Sequence, residues 1–201
     1  MLTLYAARNT IALASHIALE ESGLPYEVVW VDFSKSEQRD PDYLAVNPKG
    51  RVPALKTAHG IITETFAILD YIAERTAPLA SDTIMQRARA NEMMSYLAST
   101  MHVNHAHGPR AARWSDDPAA QASMAAKMPE NMAECARWVE TQLPETGWLT
   151  GPYSIADIHL YAICRWLPGD GVDIAAYPKL AAHFAAMQMR PCVQRVEAAH
   201  E

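Results

Sequence analysis

Asn47-Pro48-Lys49-Gly50-Arg51-Val52-Pro53-Ala54-Leu55 is the stretch that decides the fold. Asn-Pro followed by Lys-Gly is turn chemistry, and residues 52–56 then read as a strand that a proline opens. Proline has no N–H for a ladder, so it belongs at the first residues of a strand or at an edge. Upstream, residues 2–5 are strand-like, 10–22 form a helix closed by Gly23, and 26–31 are a second strand rich in β-branched and aromatic residues. Strand, helix and strand make a βαβ unit with parallel strands and a right-handed crossover. Residues 34–46 are polar, with room for one helical turn. Downstream, His59-Gly60 is a hairpin turn, Ile61 and Ile62 begin a fourth strand, and 63–74 read as a helix. Phe66, Ile68, Leu69 and Ile72 supply that helix with its apolar positions.

Beyond a linker at 78–83 no strand pattern returns. Helices are predicted over 83–107, 118–142, 154–166 and 178–189, separated by segments that carry Gly108-Pro109, Gly147, Gly151-Pro152 and Pro168-Gly169. The whole is therefore an α/β unit of order βαβ-ββα over residues 1–77 followed by an all-helical unit over 84–201.

Acidic residues outnumber basic ones 23 to 17, and the basic ones are scattered, so nothing offers the cationic footprint of a nucleic-acid partner. No apolar run approaches the roughly 20 residues of a membrane span, and the start of the chain lacks the pattern of a signal peptide. A cytoplasmic protein without a membrane partner is expected. The 3 cysteines, Cys135, Cys164 and Cys192, match no metal or redox spacing and are expected to be reduced and to pack as small hydrophobes.

A proline-opened strand inside βαβ-ββα, followed by helices, resembles the glutathione transferases, and most closely their bacterial beta class. Four pieces in order carry the resemblance: Ser15 to Glu21 in the first helix, Asn47 to Leu55, Thr63-Glu64-Thr65, and Ser154-Ile155-Ala156-Asp157. It implies a thioredoxin-like glutathione-binding domain and a helical bundle, joined in a homodimer. It also implies an enzyme of detoxification that activates the thiol of glutathione, its co-substrate, for attack on a small hydrophobic electrophile. A glutathione-dependent disulfide reductase, or a non-catalytic binder of glutathione or apolar ligands, are the alternatives.

In such a family the peptide matching Val52-Pro53 is cis and exposes the backbone of Val52 to the cysteinyl part of glutathione. Glu64 and Thr65, at a helix start, would meet the ammonium and carboxylate of the γ-glutamyl end. Lys35, Lys49 and Arg51 would face the glycyl carboxylate or the backbone near the thiol. Ser99 and His102 fall where the beta class reaches towards its cleft, and Met101, Trp114 and Trp166 are candidates to line a second-substrate pocket. His102, His105 and His107 offer three imidazoles, but helical spacing sends them in different directions, so no metal is expected. Ser154 and Asp157 form a capping box with a folding role.

The beta class carries a cysteine where this chain has Ile11. Isoleucine can neither attack nor donate a proton. Stabilising the thiolate of glutathione then falls to Thr10 first, to Asn9 second and to Tyr5 third, as other classes of the family use serine, tyrosine or an asparagine-threonine pair.

Overall fold

The computed structural model describes residues 1–81 and 83–201; Asp82, within the expected linker, lies outside the described residues. Strand β1 (Leu2–Ala6) runs parallel to β2 (Tyr26–Trp30), with Leu2 opposite Tyr26 and Ala6 opposite Trp30. Strand β3 (Ala54–Thr57) lies antiparallel to β1, and β4 (Gly60–Thr63) antiparallel to β3, so the order across the sheet is β2-β1-β3-β4. Pairing of β3 starts at Ala54 rather than at Val52 because Pro53 has no N–H to give. The Val52-Pro53 peptide is cis.

Helix α1 (Ala12–Ser22) buries eight consecutive residues, Ala12 to Leu19, so it is covered on every side. Gly23 ends it in the left-handed conformation, φ 66°. The helix begins at Ala12 rather than Thr10 because the Thr10 hydroxyl caps it from outside, accepting the Ala12 N–H at 3.3 Å. Residues 34–46 hold more helix than their polarity suggests: two 3-10 turns, Phe33–Lys35 and Glu37–Arg39, lead into α2 (Pro41–Val46), whose first residue is a proline with φ already suited to a helix. Helix α3 (Thr65–Ala73) packs Ile68, Leu69 and Ile72 inward. It starts at Thr65 because Glu64, with φ 73°, is not helical.

The chain forms two compact units, Met1–Ile84 with Gln188–Glu201, and Met85–Met187. The helical domain drawn from the sequence ran to the last residue, whereas the last helix, α9 (Pro191–His200), packs on α1 in the first unit. Arg190 and the Cys192 thiol both bond to the Glu21 carboxylate, Arg195 Nε donates to Glu20 at 2.6 Å, and His16 meets His200 at 3.1 Å. Cys192 is thus a thiol donor to a carboxylate, not only a packing residue. Cys135 and Cys164 are buried in the second unit.

The second unit is helical, apart from an isolated bridge between Trp148 and Gly151. The helix expected over 83–107 is three pieces: α4 (Ile84–Tyr96), a π-helical turn at Leu97–Met101, and α5 (His102–Ala106). Then follow α6 (Pro118–Gln142), α7 (Ile155–Cys164) and α8 (Pro178–Gln188). Met94, Leu97, Met101, Met132 and Leu160 are fully buried between them, so Met101 belongs to a core rather than to a pocket wall. Among the described residues no helix is long and apolar enough to cross a membrane.

Candidate functional site

The turn at Asn47-Pro48-Lys49-Gly50 is built from both sides. Arg51 C=O accepts from the Tyr43 hydroxyl at 2.6 Å and from Asn47 Nδ2 at 2.7 Å, which fixes the backbone just before Val52-Pro53. Burial pushes the Tyr43 phenol up to about 12, so it stays a neutral donor across ordinary pH. Sequence reasoning missed Tyr43, which sits in a polar stretch without periodicity; Asn47 was visible as part of the turn. Among the described residues the backbone of Val52 takes part in no hydrogen bond, which leaves it available to an extended ligand. The Arg51 side chain is exposed.

Gly50 holds φ 59°, and a Cβ there would stand 2.9 Å from Gln38 C=O, a backbone atom that cannot swing away. Gly50→Ala is expected to lower stability by about 2 kcal/mol, read as a fall in the urea midpoint at unchanged slope, since a side chain in this region costs about 1–2 kcal/mol before any clash. A midpoint equal to the wild type would show that the turn relaxes freely.

At the start of α3, Glu64 combines a positive φ with an exposed carboxylate. Lys49 Nζ bonds to Glu64 Oε1 and to Thr63 Oγ1, the latter at 2.7 Å. The sequence treated Lys49 and Glu64 as separate partners of a ligand; the structure joins them to each other. Thr65 is half-buried at the first helical position, beside N–H groups that have no intrahelical acceptor. Lys35 is tied to Asp32 at 3.2 Å and is 72% exposed, a surface pair of little energetic weight.

Asn9, exposed with φ 56°, and Thr10 stand at the entrance of α1, while the Ile11 side chain is buried and caps nothing. The Thr10 hydroxyl is buried and donates to Ala7 C=O at 2.7 Å. Its proton is therefore engaged, and it serves a thiolate only by turning from Ala7. The Tyr5 ring stacks obliquely on Tyr43, centroids 5.9 Å apart, and helps to line a groove of about 330 Å³ walled by Val29, Trp30, Tyr43 and Val46.

In the second unit, Ser99 sits in the π-helical turn and donates to Ser95 C=O at 2.8 Å. Only one of the three imidazoles goes its own way: His102 and His105 both pack on Trp166, at 5.0 and 4.2 Å, with their own ring centroids 6.4 Å apart, and His105 bonds to Asp170, whereas His107 bonds Val103 C=O and stacks on Trp114, itself 46% exposed. The capping box is formed as expected. Ser154 Oγ accepts from Ala156 N–H at 3.3 Å and Asp157 Oδ2 accepts from Ser154 N–H at 2.9 Å.

A mixed sheet of order β2-β1-β3-β4 with a cis-proline strand, followed in the chain by a helical unit, is the architecture of the glutathione transferases. Residues 1–74 match the family described as the N-terminal domain of glutathione S-transferase. The glutathione S-transferase GstA of Escherichia coli is 31% identical over 95% of this chain and 94% of its own. A glutathione transferase homologue from Sulfitobacter, solved with bound glutathione, is 46% identical, with a TM-score of 0.95 over 99% of this chain and 98% of that one. A sphingomonad glutathione S-transferase complexed with glutathione is 30% identical, with a TM-score of 0.85 over 98% of each chain. The chain belongs to the glutathione S-transferase family.

Proposed function

We propose that the protein binds glutathione along its first unit and activates the thiol for attack on an electrophilic, largely apolar second substrate. The observation that carries this reading is Glu64: a non-glycine residue kept at φ 73° at a helix entrance, its carboxylate exposed, is a strained position of the kind that ligand clamps retain. Glu64 receives the γ-glutamyl ammonium, the N–H groups beside Thr65 receive its carboxylate, and Val52 pairs with the cysteinyl backbone. Lys49, exchanging Glu64 for the ligand, takes the glycyl carboxylate with Arg51 and Lys35. Asn9, whose amide is exposed, and Thr10, on leaving Ala7, are the donors to the thiolate, with Tyr5 a more remote third. Glutathione is a co-substrate, no metal takes part, and a cytoplasmic homodimer serving detoxification belongs to the same reading.

One observation favours a binder without chemistry: Ile11 stands where a thiol is expected, and the Thr10 hydroxyl already donates its hydrogen bond to Ala7 C=O. Ionisation of bound glutathione decides between the two. Thiolate absorbance against pH, with S-methylglutathione as reference, is expected to show a bound pKa at least about one unit below the roughly 8.5 of a free thiol. Asn9→Ala and Thr10→Ala should each return that pKa towards the free value while binding persists. Binding with an unshifted thiol would leave only the fold and the ligand.

A further inference from the structure

The groove of about 330 Å³ belongs wholly to the first unit, and of the residues given above to glutathione only Tyr5 lines it among the described residues. That volume is at the lower end of small-molecule sites, about 300–1,000 Å³. One face of the sheet makes its floor. Tyr5 and Val29 are register partners on the parallel strands β1 and β2, so their side chains share that face, and α2 supplies Tyr43 and Val46 as a second wall. The Tyr5 and Tyr43 rings meet at 58°, centroids 5.9 Å apart, and form a corner of two π faces. Val29 lies on the edge strand and is 41% exposed, so solvent reaches the groove.

Glu37, Asp40 and Asp42 stand at the same groove, and among the described residues no lysine or arginine lines it. Nor does any ion pair engage these carboxylates among the described residues. Lys35 is taken by Asp32, Arg39 has its Nη1 at Gly50, 3.4 Å from where a Cβ would stand, and Arg8 lies over the Trp30 ring, which packs on His16 and His200. Glu37 Oε2 accepts the Asp32 N–H at 2.7 Å, which holds that carboxylate in place, and Asp40 opens α2 without capping it through its side chain. Aromatic faces, apolar walls and uncompensated negative charge thus converge on one opening.

We propose that this groove binds a small organic cation, an alkylated ammonium joined to an apolar body. The inference goes beyond the transferase reading and does not rest on it, since glutathione is a net anion that the same carboxylates repel. An alkylated ammonium has few or no N–H groups to satisfy, so it exchanges water for π faces without leaving donors unpaired. The carboxylates supply the attraction at longer range, and the apolar body covers Val29 and Val46. A neutral ligand would cover the same walls while stripping water from the carboxylates for nothing in return, and an anion would meet them directly.

The test titrates the full chain, free of glutathione, with benzyltrimethylammonium and with phenylmethanesulfonate, an anion on the same ring, and follows the methyl NMR signals of Val29 and Val46. The cation is expected to shift both signals to saturation and to bind at least about tenfold more tightly than the anion. Asp40→Asn combined with Asp42→Asn, which keeps the side-chain shapes, should weaken the cation by about tenfold. Val29→Lys, at a strand edge that tolerates lysine, should abolish its binding. Equal affinity for cation and anion, unmoved Val29 and Val46 signals, or undiminished binding in both variants overturns the proposal. Absence of cation binding, with a sedimentation coefficient that falls in Val29→Lys, would assign the groove to a second copy of the chain and overturns it equally. Glutathione affinity is measured in parallel: a wild type that binds the cation but not glutathione overturns only the transferase reading.

Discussion

Asp157→Ala is expected to unfold the helical unit far more readily than the wild type, with a loss of about 4 kcal/mol, because its carboxylate is a hub and not a surface cap. The side chain is fully buried and accepts four hydrogens: from Ser154 N–H at 2.9 Å, Ser154 Oγ at 3.1 Å, Leu149 N–H at 2.9 Å and His183 Nε2 at 3.0 Å. Truncation leaves buried donors without acceptors, each of which costs about 1–3 kcal/mol, and an ordinary helix cap contributes only about 1 kcal/mol beside them. The His183 ring, in edge contact with Trp148, loses the partner that fixes it. Asp157→Asn keeps one acceptor oxygen and should fall between. Urea midpoints give the answer directly: a loss below about 1 kcal/mol for Asp157→Ala would mean that the cap alone matters. Because the effect is on folding, the surviving native fraction of the variant should keep its activity per molecule.

That hub shows where sequence reading reaches and where it stops. Ser154 and Asp157, three apart at the head of an apolar run, announce a capping box from spacing alone, since the helix makes them neighbours. Leu149 and His183 join the same carboxylate through the tertiary fold, and no local pattern marks them. The βαβ-ββα order was legible because proline, glycine and β-branched residues constrain the backbone wherever they stand, and Pro53 limits where its strand can begin. Helix α9 was not legible: a short run with Pro191 at its first turn looks like a frayed end until its contacts with Glu20, Glu21 and His16 are seen. The site followed the same division. Val52, Glu64 and Thr65 stood out through a motif, whereas the direction of the Thr10 hydroxyl and the pairing of Lys49 with Glu64 depend on geometry that side-chain identity does not encode. The His105 to Asp170 bond spans 65 residues and had no sequence signal beyond the two residue types.

Lowering the pH from about 6.5 to about 4.5 is expected to remove about 5 kcal/mol of stability through two buried histidines, one in each unit. Burial holds His159 down to about 3 and His16 down to about 4, the latter against the pull of the Glu20 charge. Unfolded, each imidazole protonates near about 6.5, so over this window the unfolded chain binds more protons and stability falls as pH falls. Each histidine contributes about 1.4 kcal/mol per pH unit, ending near pH 4 for His16 and near pH 3 for His159. Glu20, held low by its bonds to Arg195 and Tyr26, behaves oppositely in kind: its contribution is present above the ordinary carboxylate range and is lost only below it. The histidines therefore dominate between about 6.5 and 4.5. His159 is the cleaner test, because His16 is bonded to His200, whereas neither ring nitrogen of His159 has a hydrogen-bond partner among the described residues. His159→Leu removes a buried polar group that gains nothing in return, so it should be at least as stable as the wild type at neutral pH. At about pH 4.5 it should exceed the wild type by about 3 kcal/mol, read from urea midpoints at the two pH values. Equal slopes of stability against pH in the two proteins would show that His159 takes up its proton over the same pH range folded as unfolded.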